Sequence, residues 1–341
     1  MIPPYPSLTF PSHYSIVTGL YPEHHGIVAN SFYDQMRGEK FAYTDSKASG
    51  DGSWYGGTPL WSLAEQQGMR AASFFWPGSE AEIQGKRPSY YVHFDNTIPD
   101  GQRVDQVLAW LQLPAVMRPH FITLYYSSVD HAGHVFGPDA TETGEAVRQL
   151  DNTIGKLAAG IAKLGLPVDL IVVADHGMVA SQGDWIALDK WVGRSLLKVD
   201  GPLMYPQSET DAETAYSSLL GVSDAFQVYR RANVPKHLHF DSNPREGDPV
   251  IVPTGPFNIA AHVPSYTPNR GAHGYDSSTT PLMKAIFYAA GPDIRPGAAV
   301  EQPFENVNVY PLIAKILGLR VGVIDGNLSV LQGILTTNSR N

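Results

Sequence analysis

Short apolar runs alternate with longer amphipathic patterns through the first half of the chain. Runs typical of β-strands cover residues 70–76, 121–127 and 168–174, and patterns typical of helices cover residues 104–113 and 142–164. Strands and helices that alternate in this way build a parallel sheet with helices on both faces. The pattern therefore predicts a fold of the α/β class.

The alternation stops at about residue 184. Residues 184–255 are richer in proline, serine and charge, and their apolar runs are short, as at residues 226–229. This stretch predicts a small inserted cap of mixed α and β structure, within a single domain of residues 1–341, rather than a linker. After the cap, residues 283–290 predict a returning core strand, and residues 307–317 predict a closing helix.

Composition narrows the classes of function. The 341 residues are 43% hydrophobic and 17% charged, which is typical of globular proteins. A net charge of −9 disfavours a protein that binds duplex nucleic acid through a basic face. A nucleotide substrate stays open, because a bound metal ion can supply positive charge locally. Since the sequence has no cysteine, such an ion must be bound by histidine, carboxylate or hydroxyl groups.

The sequence also lacks the patterns of membrane insertion and export. Its longest apolar run, residues 168–174, is far shorter than the roughly 20 residues that a membrane-spanning helix needs. The first basic residue is Arg37, and the first ten residues contain three prolines, unlike the start of a signal peptide. We therefore expect neither a membrane span nor an export signal in this chain.

Open α/β sheets bind their ligands beyond the carboxyl ends of the strands, and polar side chains follow two of the predicted strands here. Asp175 and His176 follow the third strand. Asp130 and His134 follow the second, and their i, i+4 spacing places both on one face of a helix. These groups suit a divalent metal ion. The alternative at the third strand is that these are turn residues. At the second strand the alternatives are a solvated Asp–His helix pair, or His131 as the candidate in place of His134.

Two further segments carry candidate groups. His273 lies on a glycine-flanked loop that could approach an ion closely. Thr9 lies where an extended, proline-rich segment meets a predicted helix, whose N-terminus favours anions. The alternative is that Thr9 or Ser12 is only an N-cap. Other histidines lack comparable partners and are interpreted as structural or surface groups, namely His13, His24, His25, His93, His120, His237, His239 and His262.

Short motifs follow one another in a fixed order across nearly the whole chain. They read TFPSHY at residues 9–14, VTGLYP at 17–22, HGIVAN at 25–30, FWPGS at 75–79, VD and GH within 129–134, ADHGM at 174–178 and GAHGYD at 271–276. In this order they resemble the motifs of the nucleotide pyrophosphatase/phosphodiesterases, a family of the alkaline phosphatase superfamily. The resemblance implies an alkaline-phosphatase-like fold with a mostly parallel sheet flanked by helices.

The resemblance also implies a site with two Zn²⁺ ions. Asp130, His134 and His273 would bind one ion, and Asp175, His176 and the Thr9 oxygen would bind the other. Thr9 would act as the nucleophile. Asn30 would bind a nonbridging phosphoryl oxygen, with the main-chain N–H of Phe10 as a second donor.

An aromatic slot for a nucleotide base, beside the metal ions, is implied as well. The matching positions are Phe10, Trp76, Phe94 and Tyr125, with Glu80 near the rim. Phe94 stands where the family pattern leads us to expect a tyrosine. A slot of this kind favours a diester with a bulky nucleoside over a small monoester. The alternative is that Trp76 and Tyr125 are core aromatics.

One departure from the family pattern concerns the zinc ion beside Thr9. The family carries a further zinc-binding aspartate on an initial strand, whereas here eight residues precede Thr9 and the first acidic residue is Glu23. We therefore expect that the first strand is missing from this chain and that the zinc site at Thr9 is weakened.

The function implied is zinc-dependent hydrolysis of nucleotide phosphodiester and pyrophosphate bonds. It would proceed through a covalent phosphothreonine intermediate and release nucleoside 5′-monophosphates. One alternative is a lysophospholipid or choline-phosphate phosphodiesterase, in which Glu80 would be the carboxylate near the choline. Another is a catalytically impaired fragment that only binds nucleotide. The resemblance also suggests periplasmic or extracellular export of the full-length protein.

Overall fold

The computed structural model describes residues 1–336. Its α-helices are α1 (Thr9–Thr18), α2 (Pro22–His25), α3 (Ser46–Ser49), α4 (Leu60–Gln66), α5 (Asp100–Leu111), α6 (Ser128–Phe136), α7 (Thr141–Leu164), α8 (Glu209–Leu219) and α9 (Val309–Leu317). Its strands are β1 (Ser31–Asp34), β2 (Glu39–Ala42), β3 (Ala71–Phe74), β4 (Tyr90–Val92), β5 (Phe121–Leu124), β6 (Leu170–Val173), β7 (Val179–Ala180), β8 (Gln182–Ala187), β9 (Phe226–Tyr229), β10 (Val250–Pro253), β11 (Phe257–Ala260), β12 (Gly271–Ala272) and β13 (Phe287–Ala290). None of these helices is both long enough and apolar enough to cross a bilayer.

The central sheet joins β3 in parallel to β4 on one side and to β5 on the other. All four residues of β3 are buried. Ala71 packs into one apolar cluster, whereas Ala72 and Phe74 pack into another on the opposite face. This burial on both faces explains why the strand reads as a continuous apolar run. The strands predicted at residues 70–76 and 121–127 are confirmed as β3 and β5, and they belong to a parallel sheet as expected.

A separate antiparallel pair is formed by β6 and β13. The prediction of a core strand at residues 283–290 needs correction. Pro281–Met283 forms a 3₁₀ turn instead, and the strand covers only Phe287–Ala290. Within β13 half-buried and exposed residues alternate, and Tyr288 is 66% exposed. Such alternation is typical of a strand that is packed on one face only.

The predicted helices at residues 104–113 and 142–164 are confirmed as α5 and α7. Val104, Val107 and Trp110 of α5 pack against Phe74 of the sheet and Leu157 of α7. Their spacing of three residues places them on one side of the helix, so this side faces the sheet. The two helices thereby hold β3 and β5, whose carboxyl ends carry candidate site residues.

The helix that begins at Thr9 is anchored in the main core. Tyr14, Ile16 and Val17 of α1 are buried there together with Leu312 of α9. The left-handed Gly19, with φ of 68°, ends α1. The predicted closing helix at residues 307–317 is confirmed as α9. Because α1 is fixed on several sides, its N-terminus has a defined position.

Residues 182–261 build a second, smaller apolar core. There β8 pairs in parallel with β11, and β9 pairs antiparallel with β10. The side chains that fill this core include Leu188, Met204, Leu219, Phe226, Val228 and Ile251. Mixed structure is what the sequence predicted for this stretch. The division of residues 1–341 into one domain with a cap at about 184–255 stays a prediction.

Candidate active site

The first functional element is the N-terminus of α1. Its N-cap residue is Leu8, and no side chain caps the helix, so the alternative that Thr9 or Ser12 is only an N-cap is wrong. Ser12 is fully buried, and its Oγ has no hydrogen-bond partner among residues 1–336. Thr9 is the first helical residue and is half-buried. Its hydroxyl therefore lies where the partial positive charge of the helix end stabilises anions.

Asn30 lies beside this terminus. Its Oδ1 accepts a hydrogen bond from the main-chain N–H of Phe10 at 2.9 Å. The expectation that this N–H is a free second donor for a phosphoryl oxygen is thereby corrected, because Asn30 already uses it. The same bond leaves the Nδ2 of Asn30 without a hydrogen-bond partner in the described part of the chain. Nδ2 is therefore available to donate to a phosphoryl oxygen.

Asp130, His134 and His273 come together at the carboxyl end of β5, as the sequence predicted. His134 Nε2 lies 3.6 Å from Asp130 Oδ2 and 3.2 Å from His273 Nε2. His273 Nε2 also lies 3.9 Å from Asp130 Oδ1. His131 is exposed. The i, i+4 spacing on α6 therefore directs His134, and not His131, toward Asp130 and His273.

Asp175 and His176 follow β6 and lie next to that group. His176 Nε2 is 3.1 Å from Asp175 Oδ2, and the His176 ring stacks on the ring of His273 at a centroid distance of 3.7 Å. Another segment of the main chain approaches closely here because Gly177 has no side chain. An added Cβ would lie 1.9 Å from the main-chain oxygen of Leu282. Asp130, His176 and His273 each offer a ligand atom within 4.8 Å of the others. The two expected ligand sets are therefore contiguous.

The hydrogen bonds of the three imidazoles fix which nitrogen faces the group. Nδ1 lies 2.8 Å from Gly271 O in His134, 2.9 Å from Gly177 O in His176 and 3.0 Å from Ser7 O in His273. Because a carbonyl oxygen only accepts, each Nδ1 carries the proton and each Nε2 presents a lone pair. This is the arrangement in which protein histidines bind metals.

The unpaired atoms of the group fit a divalent cation. Asp130 Oδ1 is buried and has no hydrogen-bond partner among residues 1–336. His176 Nε2 faces Asp175 Oδ2 at 3.1 Å, and with the proton on Nδ1 no hydrogen bond joins these two atoms. The Nε2 lone pairs of His134 and His273 face each other at 3.2 Å, which is repulsive without a positive charge between them. Carboxylate oxygens and imidazole nitrogens are ligands that zinc accepts in proteins. The residues present therefore suit a metal ion of this kind.

Burial and neighbouring charges shift the pKa values of the group in different directions. Burial acts to lower the pKa of His176, but Asp175 beside it raises that pKa above the usual value. Burial acts to raise the pKa of Asp175, but His176 beside it holds that pKa well below the usual range. Burial, reinforced by the nearby His176, lowers the pKa of His273 well below its usual range. Burial raises the pKa of Asp130. An anionic Asp175 and a neutral His273 are ready to bind a cation, and a bound cation would favour the anionic form of Asp130.

His13 is a site residue that the sequence analysis missed. It was interpreted as structural or surface, but its buried ring places Nδ1 2.8 Å from Thr9 O and 3.3 Å from Asp175 Oδ2. The ring edge also packs against Trp76 and Tyr125, at centroid distances of 4.8 and 5.0 Å. The signal that could have found it is its i, i+4 spacing from Thr9 on one helix face. Through His13 the helix that carries Thr9 contacts the Asp/His group.

The predicted slot residues form two groups. Trp76 and Tyr125 both contact His13, and Phe94 lies 6.4 Å from Tyr125 between ring centroids. Phe10 instead packs 5.6 Å from Tyr43, an exposed residue that the sequence analysis missed. No ring contact joins Phe10 to Tyr125 within the described residues. The slot residues therefore belong to two groups that share no ring contact.

Glu80 supports the chain beside Phe94. Its Oε1 accepts from the main-chain N–H of Phe94 at 2.8 Å, and its Oε2 lies 2.6 Å from His93 Nδ1. Both carboxylate oxygens are therefore used inside the protein. The choline alternative relied on Glu80 as a free carboxylate, so this arrangement weakens it.

The sequence analysis also missed Arg103, which donates a hydrogen bond to the main-chain oxygen of Tyr125. Arg103 is 2% exposed. Its guanidinium donates two hydrogen bonds to Ile98 O, at 3.0 and 2.9 Å, and one to Tyr125 O, at 2.9 Å. It also lies 5.0 Å from the ring centroid of Phe75. The available signal was an arginine directly before the apolar face of a predicted helix. Arg103 ties the end of β5 to the segment that follows Phe94.

The chain is similar to known proteins along nearly its whole length. A family model described as "Type I phosphodiesterase / nucleotide pyrophosphatase" matches residues 1–276. Ectonucleotide pyrophosphatase/phosphodiesterase family member 1 of Rattus norvegicus is 38% identical over 338 residues, which are 94% of this chain and 37% of that protein. A venom phosphodiesterase of Crotalus durissus collilineatus is 36% identical over 97% of this chain and 41% of its own length. The chain thus spans less than half of each of these relatives.

A shorter relative and two solved structures extend the comparison. An uncharacterized pyrophosphatase/phosphodiesterase of Schizosaccharomyces pombe is 35% identical and is covered over 70% of its length. Murine ectonucleotide pyrophosphatase/phosphodiesterase 5 superposes with a TM-score of 0.90 at 27% identity, over 98% of this chain and 90% of that one. A threonine-to-alanine variant of the murine protein, described as inactive and in complex with AMP, matches equally well. The alkaline-phosphatase-like α/β fold predicted from the sequence is thereby confirmed.

Proposed function

Since the chain belongs to the type I phosphodiesterase/nucleotide pyrophosphatase family, we propose that it hydrolyses nucleotide phosphodiester and pyrophosphate bonds and releases nucleoside 5′-monophosphates. One observation carries this proposal. His13, one turn into α1, joins the helix that begins with Thr9 to Asp175 of the Asp/His group, at 2.8 Å from Thr9 O and 3.3 Å from Asp175 Oδ2. A nucleophile at the start of a helix that contacts a metal-binding group suits phosphoryl transfer.

In this proposal two zinc ions belong to the site. Asp130, His134 and His273 would hold one ion, and Asp175, His176 and the Thr9 oxygen would hold the other. When bound, zinc neutralises phosphate charge and lowers the pKa of a coordinated hydroxyl group. The lone pair of Asp130 Oδ1, which has no partner among the described residues, supports this assignment, as does the lone pair of His176 Nε2, which faces Asp175 Oδ2 at 3.1 Å.

The chain's own residues would carry the reaction in two steps. Thr9 Oγ attacks phosphorus, so that a new O–P bond forms while the bond to the leaving oxygen breaks, and a phosphothreonine ester results. Water then hydrolyses that ester and releases the nucleoside monophosphate together with free Thr9. Asn30 Nδ2 donates to a nonbridging oxygen, where negative charge grows in the transition state. The N-terminus of α1 stabilises the same charge.

The aromatic side chains would give the selectivity. Tyr125, Phe94 and Trp76 would offer one wall for a base, and Phe10 with Tyr43 would offer a second. A diester carries a nucleoside that can use both walls, whereas a small monoester cannot. The murine relative solved with AMP, in a threonine variant described as inactive, is in line with a nucleotide ligand and a threonine nucleophile.

We also propose a location and a partner class for the whole protein. The names of the relatives, "ectonucleotide" and "venom", refer to enzymes that act outside cells. By this analogy the full-length protein is exported and acts on small nucleotides. Fractionation of cells that produce the full-length gene product, followed by immunodetection, tests this part. Detection in the cytoplasmic fraction alone would overturn it.

The proposed activity is tested with two matched chromogenic substrates. The purified protein is assayed against an aryl ester of thymidine 5′-monophosphate and against the corresponding aryl phosphate, with and without a chelator. We expect preference for the nucleotide ester, loss of turnover with chelator, and recovery when zinc is added back. Ser12→Ala is the control, because it removes a buried hydroxyl from the same helix without breaking a hydrogen bond. Preference for the aryl phosphate would overturn the proposal.

A further inference from the structure

Ser7 lies two residues before Thr9 and is fully buried. Its Oγ donates to Tyr275 O at 2.8 Å and accepts from the main-chain N–H of Gly274 at 3.2 Å. Its own carbonyl oxygen accepts from Nδ1 of His273 at 3.0 Å. One small residue therefore binds three consecutive residues of the loop that carries His273.

These contacts determine where His273 points. The hydrogen bond to Ser7 O keeps the proton on Nδ1 of His273. The two hydrogen bonds of Ser7 Oγ fix the main chain of the two residues that follow His273. The loop also approaches closely, because an added Cβ at Gly274, whose φ is +105°, would lie 3.0 Å from the side chain of Leu8. Nε2 is thereby directed to His134, 3.2 Å away.

We propose that Ser7 is a positioning residue that couples the nucleophile segment to the metal-binding loop. Its hydroxyl group is hydrogen-bonded to the main chain of residues 274 and 275. These bonds keep the His273 ring against the Ser7 carbonyl, so that Nε2 faces the Asp/His group. The inference rests on the proposed function in one respect, because it requires that His273 binds a metal ion. Ser7 is not itself a second nucleophile, since its Oγ is buried and donates its proton to Tyr275 O.

Removal of the Ser7 hydroxyl should weaken metal binding through His273. In Ser7→Ala the N–H of Gly274 and the carbonyl of Tyr275 lose their partner, so the loop loosens although every ligand side chain is still present. Loss of a group that orients a metal-binding histidine typically lowers metal affinity by about 10- to 100-fold. A residue with a merely structural role would instead lower thermal stability and leave zinc affinity unchanged.

Ser12 supplies a matched control. It is also fully buried, it lies in the first turn of α1, and its Oγ has no hydrogen-bond partner among residues 1–336. Ser12→Ala therefore removes the same atom from the same segment without breaking a bond. Ser7→Thr is the conservative variant, because it keeps the hydroxyl group.

The experiment measures zinc affinity by competition with a chromophoric chelator, on the full chain, in wild type, Ser7→Ala, Ser12→Ala and Ser7→Thr. We expect an affinity about 10-fold or more lower in Ser7→Ala, an unchanged affinity in Ser12→Ala, and recovery in Ser7→Thr. Thermal unfolding shows that each variant is folded. Equal affinities in Ser7→Ala and Ser12→Ala would overturn the role of Ser7. A wild-type protein that binds no zinc would overturn the proposed function and this inference with it.

A spectroscopic measurement on the wild type keeps the inference testable even where Ser7→Ala does not fold. Nitrogen NMR of histidine-labelled, metal-free protein reports which ring nitrogen of His273 carries the proton, with the signal assigned by comparison with His273→Gln. We expect a single species protonated at Nδ1, held by Ser7 O. A ring protonated at Nε2, or averaged between the two forms, would overturn the inference.

Discussion

The metal-binding half of the site and the aromatic half are built differently. The side chains of His176 and His273 are 3% and 8% exposed, and both rings are held by main-chain oxygens. In the aromatic half Phe94 is 55% exposed and Tyr43 is 50% exposed. The charged groups are thus fixed before a ligand arrives, whereas the aromatic walls can still adjust. Changes in the first half should affect every substrate, and changes in the second half only substrates with a base.

The largest effect is expected from Thr9→Ala. Without the nucleophile, turnover of nucleotide esters and of base-free diesters should fall together, on the order of 10³-fold or more. Zinc content should stay near the wild-type value, because an alcohol is a minor ligand beside carboxylate and imidazole. Steady-state kinetics with both substrates and mass-spectrometric zinc analysis measure the two effects. Normal turnover by this variant would remove Thr9 from the chemistry.

Asp130→Ala and His273→Ala test the metal-binding half directly. Each change removes a ligand, so zinc content and activity should fall in parallel, and zinc affinity should drop by more than about 10-fold. His131→Ala is the matched control, since His131 neighbours Asp130 on α6 but is exposed. Full zinc content in both ligand variants would show that these residues do not bind the ion.

Tyr125→Ala tests the aromatic half. Loss of one stacking partner should remove about 1 to 3 kcal/mol of transition-state binding from nucleotide esters. That corresponds to a fall of about 5- to 150-fold in kcat/KM. A base-free bis-aryl phosphate cannot use the slot, so its kcat/KM should hardly change.

The measured quantity is the ratio of kcat/KM for the two substrates in Tyr125→Ala. Tyr126→Phe is the control, because it changes the neighbouring residue and removes only a hydroxyl that has no partner among the described residues. If the ratio in Tyr125→Ala equals that of the wild type, Tyr125 supports the sheet or the metal group, and the base binds elsewhere.

The smallest effect on selectivity is expected from Arg103→Lys. An ammonium group cannot donate to both Ile98 O and Tyr125 O in the fork geometry of a guanidinium. Loss of one or two hydrogen bonds should lower the free energy of unfolding by about 1 to 3 kcal/mol. The same substrate ratio should change less than in Tyr125→Ala. A change as large as that of Tyr125→Ala would mean that Arg103 contacts the substrate or fixes the slot completely.

The residues proposed to bind metal could be found as candidates in the sequence because their signals are local. Asp130 and His134 are one helical turn apart, and Asp175 and His176 directly follow a strand, so secondary structure alone brings each pair to the sheet edge. The orientation of His273 could not be predicted from local signals, because the hydrogen bond that orients it joins residues 266 positions apart in the sequence. Its glycine-flanked motif suggested a role, whereas the partner that orients it could be found only in the fold.

The aromatic half was less predictable, since most of its residues lie on loops and their contacts are set by tertiary packing. Arg103 and His13 read as ordinary helix residues in the sequence, yet one holds Tyr125 O and the other contacts Asp175. The strand predicted at residues 283–290 proved shorter, because residues 281–283 form a 3₁₀ turn and the pairing with β6 begins at Phe287. Within the strand the apolar Tyr288 faces outward, at 66% exposure. Apolar composition alone does not reveal which face of a strand is covered.

The proposed active site binds two zinc ions and hydrolyses nucleotide diesters. Its residues are Asp130, His134, His273, Asp175, His176 and Thr9. The most direct test is to count zinc by mass spectrometry on the purified 341-residue chain, alongside turnover of an aryl thymidine 5′-monophosphate ester. With zinc in excess we expect two zinc ions per chain, the ion at Thr9 being the more weakly bound, and turnover that is lost when they are removed. One ion or none, or turnover that persists without zinc, would contradict the proposal.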